Sequence, residues 1–116
     1  MKSTTFHERS KFLIDKYVHK VYDVTARFPA NEKFGVTSQY RRADLSIVLN
    51  YIEGYARRRK AVLKNFLEIS LGSFKEAEYL TQFSFKRRYL KKKDRDELAT
   101  LESEIGKMLW STINKL

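Results

Sequence analysis

Residues 36–57 read VTSQYRRADLSIVLNYIEGYAR, and this stretch decides the fold. At 100° per residue, Gln39, Arg42, Ser46, Asn50, Glu53 and Arg57 fall within a wedge of about 80°. Most of the remaining circumference is apolar or aromatic: Val36, Tyr40, Ala43, Leu45, Ile47, Val48, Leu49, Tyr51, Ile52 and Tyr55. A surface helix carries an apolar stripe on a polar body, whereas this one carries a polar stripe on an apolar body. Such a helix is expected to be buried on most sides, by its own bundle and by another subunit. A homo-oligomer is therefore expected.

Outward from this segment the periodicity stays helical. A first helix is expected from about Ser10 to Phe28, with Leu13, Tyr17, Val21, Val24 and Phe28 on one stripe. Pro29 ends it, because its ring disfavours helical geometry in the preceding residue. Ala30 to Gly35 form a loop, and Thr37 or Ser38 is the expected N-cap of the second helix. A third helix is expected from Arg59 or Lys60 to about Lys86, burying Leu63, Phe66, Ser70, Phe74, Ala77, Leu80 and Thr81. Arg87 to Lys93 form a basic connector. Asp94 then caps a fourth helix carrying Leu98, Leu101, Ile105, Met108, Leu109 and Leu116 on one stripe. Gly54 and Gly72 are expected where helix backbones approach closely. Four helices on short loops imply an all-α, antiparallel up-down-up-down four-helix bundle, one domain over residues 1–116.

The 116 residues carry 24 Lys and Arg against 14 Asp and Glu, a net charge of +10. Residues 1–54 contribute +3, residues 55–93 contribute +9, and residues 94–116 contribute −2. A basic excess of this size is the usual footprint of a nucleic-acid binder. With no cysteine there is no disulfide framework, thiolate zinc finger or cysteine nucleophile. The longest charge-free run, Leu45 to Ile52, is far short of the roughly 20 residues of a membrane span. The stretch from Met1 to Arg9 lacks an apolar leader core. These features lead to the expectation of a soluble cytoplasmic protein that does not engage membranes.

Several elements match a known pattern. They are Val21-Tyr22-Asp23-Val24-Thr25, Phe28-Pro29, the run Glu32 to Gln39, Arg41-Arg42-Ala43, Ser46-Ile47, Asn50 to Gly54, Arg57, Phe66 to Ser70, and Gly72-Ser73. Together they resemble the 23S-rRNA-intervening-sequence proteins, a four-helix-bundle family. Tyr51-Ile52 departs from the pattern, which more often reads Ile-Ala; two larger residues there alter packing between subunits. The resemblance implies a ring, commonly a homopentamer, without enzymatic activity. The same fold serves the accessory variability proteins of diversity-generating retroelements, which are basic, pentameric, bind nucleic acid and partner a reverse transcriptase.

The polar stripe of Gln39, Arg42, Ser46, Asn50 and Glu53 has two readings: an interfacial hydrogen-bond network, or a polar wall lining the inside of a ring. The candidate nucleic-acid contacts are Arg57, Arg58, Arg59 and Lys60 in one run, and Arg87, Arg88, Lys91, Lys92 and Lys93 in the other. Against a merely solubilising turn, cations packed this densely repel one another, and a phosphate backbone relieves that repulsion while releasing counterions. Tyr55 and Tyr89 are placed to stack on an unpaired base. The two runs are separated by the third helix, roughly 39 Å, and so form two rims.

No catalytic residue, cofactor or metal is expected. Serine has no partner His and acid in a nucleophile arrangement. Asp15, His19 and Asp23 share a helix face but span about 12 Å, too far for one ion. His7 is read as part of a frayed terminus. The expected function is phosphate-led binding of RNA or DNA. The alternatives are a retroelement accessory protein bound to a reverse transcriptase and its template RNA, and a scaffold for an acidic protein.

Overall fold

The computed structural model describes residues 5–116. The first four residues of the leader reading lie outside that range. The helices are α1 (Phe6–Thr25), α2 (Val36–Ala56), α3 (Lys60–Lys86) and α4 (Lys92–Asn114), with one 3-10 turn over Ala30–Glu32. Each helix packs on two others, α1 on α2, α2 on α3, α3 on α4 and α4 on α1, around a common core. Hydrogen bonds fix the α2–α3 register. Tyr40 meets Thr81, Ser46 Oγ lies 2.7 Å from Ser73 Oγ, and Ser70 Oγ donates to the Ile47 carbonyl at 2.8 Å.

Most of the core falls on the predicted stripes, but Ile14 and Leu67 lie off them and are buried, while Leu13, Leu63, Phe66 and Leu80 on them are only half-buried. Ile14, Tyr17, Ile47, Tyr51, Leu67, Phe74, Leu98, Ile105 and Leu109 are all buried. Each large side chain removed from water contributes about 1.5–3 kcal/mol. Inside this core Tyr17 Oη and Thr81 Oγ1 donate to Glu102 Oε2 at 2.7 and 2.6 Å. Since the single Thr81 proton goes to Glu102, Tyr40 donates to Thr81. Burial raises the Glu102 carboxyl to about 7 despite these donors. Asp44 is buried with neither carboxylate oxygen hydrogen-bonded, and desolvation pushes it to about 9.

The helix ends differ from the expected ones for identifiable reasons. α1 begins four residues earlier, because Thr5 caps it by accepting from the Glu8 amide at 3.0 Å. It also stops at Thr25, not Phe28. Thr25 Oγ1 donates back to Val21 O, and Phe28 swings into the core between the rings of Tyr40 and Tyr89. Arg41 of α2 satisfies the end of α1, donating to Tyr22 O and Thr25 Oγ1. α2 starts at Val36 as expected, but its N-cap position is Gly35, not Thr37 or Ser38. Glu32 reaches forward four residues and accepts from the Val36 amide at 3.1 Å, so a hydroxyl cap is not needed. α4 starts before Asp94. Lys91 occupies the cap position without a side-chain bond, and Asp94 instead pairs with Lys20 (2.9 Å) and Arg27 (3.0 Å).

Gly54 confirms the close approach expected of it. A Cβ there would meet Phe66 Cβ at 3.0 Å and Leu63 Cδ1 at 3.1 Å. Gly72 does not, since nothing lies within 4 Å of its Cβ position. Gly106, unremarked in the sequence, is tight against the Phe74 ring at 3.1 Å. His7 is not frayed. It lies in α1, with Nδ1 2.9 Å from Tyr51 Oη and its ring 4.3 Å from that of Tyr55.

Candidate nucleic-acid interface

Both basic runs sit where a helix stops and the chain must turn. α2 ends at Ala56, and the turn into α3 passes through Arg58 at φ 62°. α3 ends at Lys86, and the turn towards α4 passes through Arg88 at φ 65°. A left-handed residue after a helix is ordinarily glycine, because a Cβ there crowds the carbonyl at a cost of roughly 1–2 kcal/mol. These are the only non-glycine residues with positive φ among those described, and both are arginines within the basic runs. Nothing in the sequence flags them, since the usual marker, glycine, is absent.

The first turn is exposed from Arg57 to Lys60. Arg57 pairs with Glu53 at 3.5 Å and lies over the Phe66 ring at 5.6 Å. Among the described residues no carboxylate lies within 4 Å of Arg58, Arg59 or Lys60. In the second turn, Lys92 pairs with Asp96 at 2.8 Å, while Arg87, Arg88, Lys91 and Lys93 have no such partner among the described residues. α3 separates the two turns along the 43 Å long axis of the molecule.

The expected stacking tyrosines are otherwise engaged. Tyr89 donates its hydroxyl to Glu32 at 2.8 Å and packs its ring 5.5 Å from Phe28. Tyr55 packs against His7 and Tyr51. Both rings are half-buried against the core and so are less open to stacking than an exposed ring. The exposed aromatic at the second turn is Phe34, 90 % exposed, with Lys33 Nζ 5.5 Å from its ring. It escaped the sequence reading because the bond that brings its loop to the second turn, Tyr89 to Glu32, joins residues 57 positions apart. Glu32 is held below the usual carboxylate range, first by the Val36 amide, then by Tyr89 and the charge of Arg87. A cavity of about 200 Å³ opens beside this turn, lined by Arg27, Arg88, Tyr89, Lys91 and Asp94.

The polar stripe of α2 divides. Ser46 and Asn50 form a network toward α3, with Asn50 Nδ2 donating to Ser46 O at 2.8 Å and to its Oγ at 3.0 Å. Gln39, Arg42 and Glu53 are exposed. On the outer side of α2, Leu45, Leu49 and Ile52 recur at helical spacing, all exposed, with Leu49 at 60 %. A groove of about 600 Å³ between α1 and α4 mixes Lys16, Lys20 and His19 with Asp23, Glu97 and Glu104, and so favours neither sign of ligand. His19 and Asp15 are exposed, 3.7 Å apart. Among the described residues no three His, Cys, Asp or Glu side chains are grouped to hold a metal ion.

A model of the 23S rRNA-intervening sequence proteins matches residues 14–111, which spans all four helices. The chain belongs to the 23S rRNA-intervening sequence protein family. Among solved structures it is similar to a protein of unknown function from the S23 ribosomal protein family of Bacteroides thetaiotaomicron VPI-5482. The two share 22 % identity at a TM-score of 0.84, over 93 % of this chain and 97 % of that one. At that identity the likeness concerns the fold. No curated protein matches the chain. Family membership agrees with the four-helix bundle, and no helix among the described residues is long and apolar enough to cross a membrane.

Proposed function

We propose that this protein is a non-enzymatic, cytoplasmic RNA- or DNA-binding module, one antiparallel up-down-up-down domain assembled as a ring of about five copies. The observation that carries this reading is the placement of Arg58 and Arg88. Each occupies a left-handed position that glycine fills at lower cost, amid exposed cations that mostly lack carboxylate partners. Backbone strain retained at a charged position fits selection for the charge. The ligand such turns suit is a phosphate backbone, bound with little regard to base order, since the unpaired cations gather on turns where phosphate contacts position a strand without reading its bases. A template RNA shared with a reverse transcriptase meets the same chemistry.

Assembly rests on a separate feature. Leu45, Leu49 and Ile52 give α2 an apolar outer face that the described residues leave uncovered, and burying such a face is the usual reason for self-association. A ring repeats each basic turn around a rim and adds avidity. The test is fluorescence anisotropy with a labelled oligonucleotide at low salt. Wild type should bind, and glutamine at positions 57–60 or at 91–93 should each weaken binding. Equal affinity in all three proteins would remove nucleic acid as the partner and favour an acidic protein.

A further inference from the structure

The two ends of the bundle are not equivalent: the loop tied to the second turn by Tyr89 and Glu32 presents the almost fully exposed ring of Phe34, whereas the ring under the first turn's Arg57, Phe66, is half-buried. We infer that this end is a subsite for an unpaired strand, with Phe34 as the platform for one base and the cavity between Arg27, Arg88 and Lys91 as the seat of a phosphate. This rests on the nucleic-acid reading above and adds the class of strand.

Phe34 is fixed in place although its side chain is free. Both of its flanks are anchored: the Gly35 amide donates to Glu32 O at 2.9 Å, and Glu32 Oε1 accepts from the Val36 amide. Glu32 Oε2 accepts from Tyr89, which ties this loop to the turn holding Arg87 and Arg88. The ring is thus presented on a braced loop. Lys33 covers one side of it and adds a cation for the strand. Base stacking on such a ring is tolerant of sequence, because every base has a π face.

The cavity complements the ring. Its one carboxylate, Asp94, already faces Lys20 and Arg27, and Lys20 above all holds it below the usual carboxylate range. Arg88 and Lys91 are left to attract an anion. At about 200 Å³ the cavity has room for a phosphate group with bridging water, and not for a duplex. A duplex also keeps its base faces stacked on one another, so Phe34 finds no partner along it.

The test compares three probes: a single-stranded 15-mer, a blunt duplex of the same length, and long-chain polyphosphate, which has charge but no bases. Phe34→Ala should weaken the single strand about tenfold, the lower part of the range for one stacked base. It should leave polyphosphate and duplex unchanged, while Arg88→Gln weakens all three. Phe34→Trp in a Trp110→Phe background should keep single-strand affinity, and its fluorescence should be quenched by the strand and not by polyphosphate. Phe34 is exposed, so circular dichroism and melting temperature of the alanine variant should match wild type. Unchanged single-strand affinity, equal loss for strand and polyphosphate, or tryptophan fluorescence in the Phe34→Trp protein that the strand leaves unquenched would overturn the subsite. A wild type that binds neither strand nor polyphosphate would overturn the nucleic-acid reading itself.

Discussion

Replacing Arg88 by glycine should make the protein more stable and a poorer ligand for nucleic acid at the same time. Arg88 sits at φ 65°, where a side chain costs roughly 1–2 kcal/mol. Glycine removes that cost but adds about 0.4–1 kcal/mol of chain entropy to the unfolded state. The difference is a stabilisation of about 0.5–1 kcal/mol, or a melting temperature higher by about 2–6 °C for a domain of this size. The Arg88 backbone N–H still donates to Phe85 O at 2.9 Å, so the turn is kept. Binding moves the other way. Losing one phosphate contact per bound turn should lower the apparent number of released counterions by about 1 for each turn engaged. Arg58→Gly at φ 62° is the matched experiment at the opposite end. Thermal denaturation and anisotropy on the same preparations measure both effects. A glycine variant that is stabilised yet binds as tightly as wild type would refute the link between the strained arginines and binding. One that is destabilised would refute the account of the strain.

Four further substitutions test the packing and the assembly. Asp44→Asn should stabilise the protein in a pH-dependent way. The folded state holds a proton up to about pH 9 that the unfolded chain releases near 3.8, so wild-type stability falls as pH rises through this range. At 1.36 kcal/mol per unit the gain should grow from near zero at pH 4 to about 4 kcal/mol at pH 7 in urea unfolding. Glu102, raised to about 7, leaves a shallower decline of the same sign in the variant. Gly54→Leu should cost about 1–3 kcal/mol or more by overpacking Phe66 and Leu63, whereas Gly72→Ala, meeting nothing within 4 Å, should gain about 0.5–1 kcal/mol. Equal thermal shifts for the two would contradict this contrast. Leu49→Glu should leave the single chain within about 0.5 kcal/mol of wild type but reduce its mass in light scattering towards 13.8 kDa. An unchanged wild-type assembly would exclude the outer face of α2 as the interface.

The start of α2 at Val36 and both ends of α3 were legible because long periodic segments there meet abrupt breaks, Gly35 on one side and the basic turns on the other. Most of the core was legible for the same reason, since Tyr17, Phe74 and Leu109 fall on their stripes, although Ile14 and Leu67 are buried beside them. What the pattern missed depends on partners distant in sequence. The cap of α2 comes from Glu32, itself bound by Tyr89, and Asp94 is drawn to Lys20, 74 residues away. The proposed stacking role passes from Tyr55 and Tyr89 to Phe34 because packing half-buries the first two rings and leaves the third bare. The basic runs could be read directly as charge. Which of their arginines bear strain could not, because it requires φ.

Salt dependence tests the central claim most directly. The logarithm of the affinity for a single-stranded oligonucleotide, plotted against the logarithm of salt concentration, should be linear with a slope near −0.7 per phosphate neutralised. A ring engaging several turns should neutralise about five or more. Glutamine at positions 57–60 and at 91–93 should each flatten the slope, independently, because the turns lie at opposite ends of α3. A slope near zero in the wild type, or one untouched by both sets of substitutions, would contradict phosphate-led binding.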